Sequence, residues 1–175
     1  KMKIFLFLLL LVPLVSFGQE GDQPELLNAA FEAGPFIGNL LPNQIDGVTE
    51  IHPQWGWWTG FGLGGAGTAE INITSGNGNG VEWSSLSTSL RMDVPIENLI
   101  GIVYIGANVS YYKGVDMPKK LFGGGHVGGG VMTPLSKLLY FRADMKFHVN
   151  PGTSLLIMGG FLFRFPGGEG GGADD

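Results

Sequence analysis

Alternation with a period of two, sustained through eight successive segments, most narrows what this chain folds into. Apolar residues and small or polar ones exchange places along residues 28–40, 54–64, 68–75, 82–94, 99–112, 121–133, 138–150 and 154–165. Successive side chains of a β-strand point to opposite faces, so each segment carries one apolar and one polar face. The segment 138–150 is the clearest, with Leu139, Phe141, Ala143, Met145, Phe147 and Val149 set against Tyr140, Arg142, Asp144, Lys146 and His148. Beyond Gly18 no stretch sustains a helical period, and residues 23–31 hold at most a short helical turn. Turn-forming joints separate the segments, among them Gly64-Gly65-Ala66-Gly67, Gly76-Asn77-Gly78-Asn79-Gly80, Pro134-Leu135-Ser136-Lys137 and Pro151-Gly152-Thr153. The pattern predicts an all-β chain of eight antiparallel strands.

Eight strands suit either a soluble sandwich or barrel, or a barrel that crosses a membrane. The chemistry of the two faces decides. Only 14% of the 175 residues are charged, against about 25% in a soluble domain. The polar faces carry glycine, serine and asparagine, too little charge to cover a water-exposed surface, and no charged residue falls on an apolar face. Segments of about ten residues match the ~9–11 that cross a bilayer at a tilt. Joints alternate in length, with the longer ones at 41–53 and 113–120, the layout of short turns at one end and loops at the other. The fold class expected is an eight-stranded antiparallel up-and-down transmembrane β-barrel over residues 28–165. Glycine, at 31 residues, suits a narrow interior. Into that interior the parity directs Glu32, Arg91, Asp93, Arg142, Asp144 and Lys146, a luminal charge network of both signs. Facing lipid, an Arg or Lys near the midplane would cost roughly 2–4 kcal/mol.

The N-terminus supplies the compartment. Lys1-Met2-Lys3 precedes a 12-residue apolar run, Ile4 through Val15, and then the small residues Ser16 and Gly18. A basic start, a short apolar run and a small-x-small site form a secretory signal peptide, here residues 1–18, and the run is too short to span a bilayer as a helix. Residues 19–27 then read as a periplasmic N-terminal segment, and the glycine-rich acidic stretch 166–175 as a flexible tail, either a natural end or a linker to a further periplasmic domain. Zero cysteines exclude disulfides, thiol chemistry and a lipoprotein anchor. A formal charge of −5 argues against nucleic-acid partners.

Aromatic residues mark a level along the barrel. Trp55 and Trp57 lie beside one long loop, Trp83 begins the strand after another, and Tyr111 ends a strand entering a third. Their shared level predicts an interfacial aromatic girdle. The closing segment Gly160-Phe161-Leu162-Phe163-Arg164-Phe165 resembles the terminal strand of bacterial outer-membrane barrels, with Gly160, Phe163 and Phe165 at the matching positions. More broadly, residues 27–165 look like a small eight-stranded barrel of the OmpA/OmpX kind. The resemblance implies location in the bacterial outer membrane, contact with its lipid and lipopolysaccharide, and recognition of the last strand by the barrel-assembly machinery. A peptidoglycan link is implied only if a periplasmic domain follows residue 175.

Motifs that elsewhere carry chemistry are weak here. Residues 62–67 and 123–128 both fit G-x-G-x-x-G, but no helix follows to hold a pyrophosphate. The first is read as a hairpin turn and the second as a bent strand. His52, His126 and His148 lack metal-ligand spacing. One family of eight-stranded barrels deacylates lipid A with a His-x-Ser on a lipid-facing strand, and this chain does not resemble it there, since Gly128 and Asn150 stand two positions after His126 and His148. The sequons at Asn72 and Asn108 fall on strands. The reading is therefore a structural barrel, a membrane anchor that presents short surface loops and has its lumen closed by side chains, without cofactor, metal or catalytic residues. A narrow pore is the alternative, and a lipid-modifying enzyme a more distant one.

Overall fold

A computed structural model describes residues 29–43, 45, 47–48, 50–78, 80–114, 120–149 and 152–166. The signal-peptide and periplasmic readings for 1–18 and 19–27, most of the tail and the centre of the 113–120 loop lie outside those residues. Every regular element among the described residues is a strand: β1 (Ala29–Asn43), β2 (His52–Gly64), β3 (Gly67–Gly78), β4 (Val81–Ile96), β5 (Leu99–Gly114), β6 (Lys120–Pro134), β7 (Leu139–Val149) and β8 (Thr153–Pro166). Each pairs antiparallel with its sequence neighbours, and β8 returns to β1, closing the barrel. All eight segments read from alternation are present.

Most strands run one to three residues past an expected end, while β7 lies within its expected 138–150. Gly76 to Gly78 belong to β3, so Asn79 and Gly80 alone join it to β4, where a five-residue loop was expected. Gly80, at a φ of 78°, takes the left-handed conformation that a two-residue turn requires. The G-x-G-x-x-G at 62–67 is the turn between β2 and β3, with φ of 92° at Gly64 and 56° at Gly65. That at 123–128 lies within β6.

Burial follows parity. The outward face of β7 is Leu139, Phe141, Ala143, Met145, Phe147 and Val149, and the inward face Tyr140, Arg142, Asp144, Lys146 and His148 is buried throughout. Large apolar side chains stand exposed all round the barrel, with Ile37 73% and Leu121 72% accessible. Every exposed charged side chain among the described residues, from Glu50, Glu82 and Glu97 to Lys113, Lys120 and Lys137, sits at a strand end or in a connection. At the tilt usual for such barrels, the 11 residues of β7 span roughly 25 Å, the height of a lipid-facing apolar band.

Glycine makes room for the contents. A Cβ on Gly128 would stand 2.5 Å from the Tyr104 ring, one on Gly60 2.6 Å from Glu32 Cγ, and one on Gly106 2.8 Å from His126 Nε2. Large inward side chains thus lie over inward glycines of the neighbouring strand. At Gly34, Gly38 and Gly130, among others, a Cβ would also run into a neighbouring strand's carbonyl, so a side chain there would force the strands apart.

Candidate functional site

The chemistry of this molecule is concentrated in its lumen. Arg91 on β4 pairs with Glu32 on β1, with Glu70 on β3 at 2.8 Å and with Asp93 on its own strand at 2.7 Å. Arg142 on β7 pairs with Glu70 from across the barrel and with Asp144 at 2.6 Å. Arg164 on β8 reaches Glu32 at 3.1 Å and Asp93 at 2.9 Å. Glu32, Glu70 and Asp93 are each shared between two arginines, so the pairs form one continuous network from β1, β3 and β4 to β7 and β8. Guanidinium suits this task because its planar fork serves two carboxylates at once. Arg142 also stacks 4.5 Å over the Trp58 ring and Arg164 5.2 Å over Tyr140, while the Lys146 ammonium stands 5.3 Å from the centre of Tyr104. Three arginines and Lys146 balance Glu32, Glu70, Asp93 and Asp144.

All six charges assigned to the interior by parity are buried there. Glu70 and Arg164 complete the network and lie beyond the six residues expected in it. Their signal was nevertheless present: Glu70 alternates with Ala69 and Ile71, and Arg164 with Phe163 and Phe165.

Uncharged side chains are buried above and below the network. Toward the short-turn end Ile100, Ile102, Met132, Tyr140 and Leu162 are buried. Toward the long-loop end Trp83 packs on Tyr112 at 6.2 Å between ring centres, and Tyr112 on Phe122 at 6.1 Å. In the β1–β2 connection, expected to be a surface loop, Ile45 and Val48 instead join the buried apolar cluster, with Val48 N–H donating to the Ile45 carbonyl at 3.1 Å. Apolar side chains have no reason to stay in water when a barrel mouth offers burial.

Between the apolar mouth and the arginines lies a polar layer. Ser89 Oγ and His126 Nε2 are 2.8 Å apart, and Asn108 donates to Ser110, which donates to Ser85. His126 and His148 face each other across β6 and β7, ring centres 5.4 Å apart, while His52 begins β2. Among the described residues no cluster of three or more His, Cys, Asp or Glu has metal-binding geometry. His52, Gln54 and His148 keep buried polar atoms with no protein partner, the kind of group that ordered water serves in folded proteins.

Of the four expected girdle residues, Trp55 and Trp57 are exposed on the outer face and Tyr111 is half-buried there. Trp83 is a correction. It is 1% exposed and points into the lumen, because its parity is that of Ser85, Ser87 and Ser89. Phe163 and Phe165 face outward on β8, and Gly160 faces inward against Phe36. A second group of outward aromatics lies toward the short-turn end, with Phe31 5.5 Å from Phe61 and 6.0 Å from Phe165 between ring centres.

No protein-family model matches the sequence, and the search of curated proteins gives no match. Solved structures do resemble it. Neisserial surface protein A superposes with a TM-score of 0.68 at 10% identity, over 78% of this chain and 98% of that one. The N-terminal β-barrel domain of Pseudomonas aeruginosa OprF gives 0.64 at 11% identity, over 79% and 99%. The outer-membrane protein OprG of the same organism gives 0.58 at 10%, over 80% and 98%. Identities this low carry the architecture and nothing finer. The chain is an eight-stranded antiparallel up-and-down β-barrel with the fold of the small outer-membrane barrels.

Proposed function

We propose that this protein is a structural component of the bacterial outer membrane: a barrel with a closed lumen that anchors short loops at the cell surface. One observation carries the reading. The lumen is occupied from mouth to mouth, by the Arg91–Arg142–Arg164 network in the middle and by apolar side chains at both ends. A solute path would have to break several buried ion pairs at once, whereas an anchor needs nothing inside but stability. The apolar outer face supports residence in lipid, and Trp55, Trp57 and Tyr111 belong at its outer boundary.

The partners follow from that residence: outer-membrane lipid and lipopolysaccharide around the barrel, and the assembly machinery, which would read Gly160, Phe163 and Phe165 during biogenesis. Linkage to peptidoglycan belongs to the proposal only where a periplasmic domain follows residue 175. Envelope fractionation tests the reading. The protein is expected in the outer-membrane fraction, resistant to carbonate extraction and released by detergent. Recovery as a soluble periplasmic protein would overturn it.

A further inference from the structure

The barrel ladders are continuous through mid-strand everywhere except at the seam between β1 and β8. There Ala33 pairs with Phe163, and the next pair is Phe36 with Gly160. The register is the same on both sides, so the pairs of Gly34 with Leu162 and Pro35 with Phe161 are missing without any slip. Pro35 explains the gap. The β1–β2 ladder runs unbroken through Pro35 opposite Trp57, which it could not do if the proline nitrogen faced β2. That nitrogen therefore faces β8, where it has no hydrogen to give the Phe161 carbonyl.

Proline in mid-strand belongs on sheet edges. In the finished barrel β1 has a neighbour on each side, but in an open sheet of eight strands β1 and β8 are the two edges. Unpaired edges invite pairing with other chains, and proline is one of the devices that blunts them. Side chains hold the seam beside the gap. Glu32 and Arg164 are register partners across it and form an ion pair at 3.1 Å. On the outer face the Phe31 and Phe165 rings stack at 6.0 Å. Slipping β8 by two residues would set Glu32 opposite Leu162 or Pro166, so the ion pair also fixes register.

We propose that the seam is a guarded edge with a side-chain latch: Pro35 keeps the β1 edge from pairing prematurely, and the Glu32–Arg164 pair commits it to β8 in one register. The seam then opens more readily than the β4–β5 ladder, whose sixteen register pairs run without a gap.

Hydrogen exchange on the full chain folded in detergent micelles tests this, with β4–β5 amides as the internal reference. Seam amides around Ala33 and Phe163 are expected to exchange faster than those of β4–β5. Pro35→Ala restores the missing donor and is expected to slow seam exchange about fivefold, the effect of one hydrogen bond of ordinary net strength, with β4–β5 unchanged. The same variant is expected to form more intermolecular oligomer when refolded from urea at raised protein concentration. Arg164→Gln is expected to speed exchange at the seam, and Arg164→Lys to restore much of it. Seam exchange equal to that of β4–β5 in the wild-type protein would overturn the proposal, and that comparison decides even if Pro35→Ala does not fold. Equal acceleration of both ladders by Arg164→Gln would also overturn it, since Arg164 would then be an ordinary part of the luminal network.

Discussion

Replacing Arg142 with methionine removes the cation that joins the two sides of the lumen. Glu70 keeps Arg91 at 2.8 Å, but Asp144 loses its ion-pair partner, and the face of Trp58 loses a guanidinium 4.5 Å away. A buried carboxylate stripped of its cation costs about 3–5 kcal/mol, most of it desolvation that is no longer compensated. Lys113→Ala is the control. Lys113 pairs with Glu82 at 3.2 Å, but the two side chains are 47% and 61% exposed, and a surface pair of this kind contributes about 0–1 kcal/mol. Equilibrium unfolding in urea with detergent micelles, followed by tryptophan fluorescence, compares the two. Arg142→Met is expected to lose several times as much stability as Lys113→Ala. Adding Asp144→Leu to Arg142→Met is expected to recover much of the loss, because no orphaned charge remains. Equal effects of Arg142→Met and Lys113→Ala, or no recovery in the double variant, would refute the account of the lumen as a coupled ion network.

Other consequences are open to measurement. Gly128→Val places a side chain where Tyr104 already lies and should destabilise the barrel by roughly 1–3 kcal/mol in the same urea assay; a neutral result would show that Tyr104 has free space to move. Gln54→Leu exchanges two buried, unpartnered amide atoms for methyl groups and should be neutral or stabilise by about 1 kcal/mol. Phe165→Glu puts a charge on the outward face of the last strand and should lower the amount of protein recovered in the outer membrane. Normal recovery would remove the role given to that strand in assembly.

The fold was legible because each strand writes its two faces in alternation, and in β7 the writing has no exceptions. The same parity places every luminal charge, Glu70 and Arg164 included, since each alternates with outward apolar neighbours as Glu32 does. Trp83 shows the error that level alone invites. Its level along the strand suggested the membrane interface, yet its odd-numbered position, shared with Ser85, already pointed inward. The burial of Ile45 and Val48 had no such signal. They lie between strands, where no period applies, and their burial follows from the width of a mouth that only the closed barrel defines. The gap opposite Pro35 is likewise a product of closure, since the sequence does not say which neighbour its nitrogen faces.

Conductance tests the closed lumen most directly. Purified protein reconstituted into planar lipid bilayers is expected to give no steady ion current, because the shared pairs of Glu32, Glu70 and Asp93 with the three arginines occupy the path. A stable, reproducible channel whose conductance or selectivity changes with Arg142 or Asp144 would contradict the anchor and make the barrel a pore.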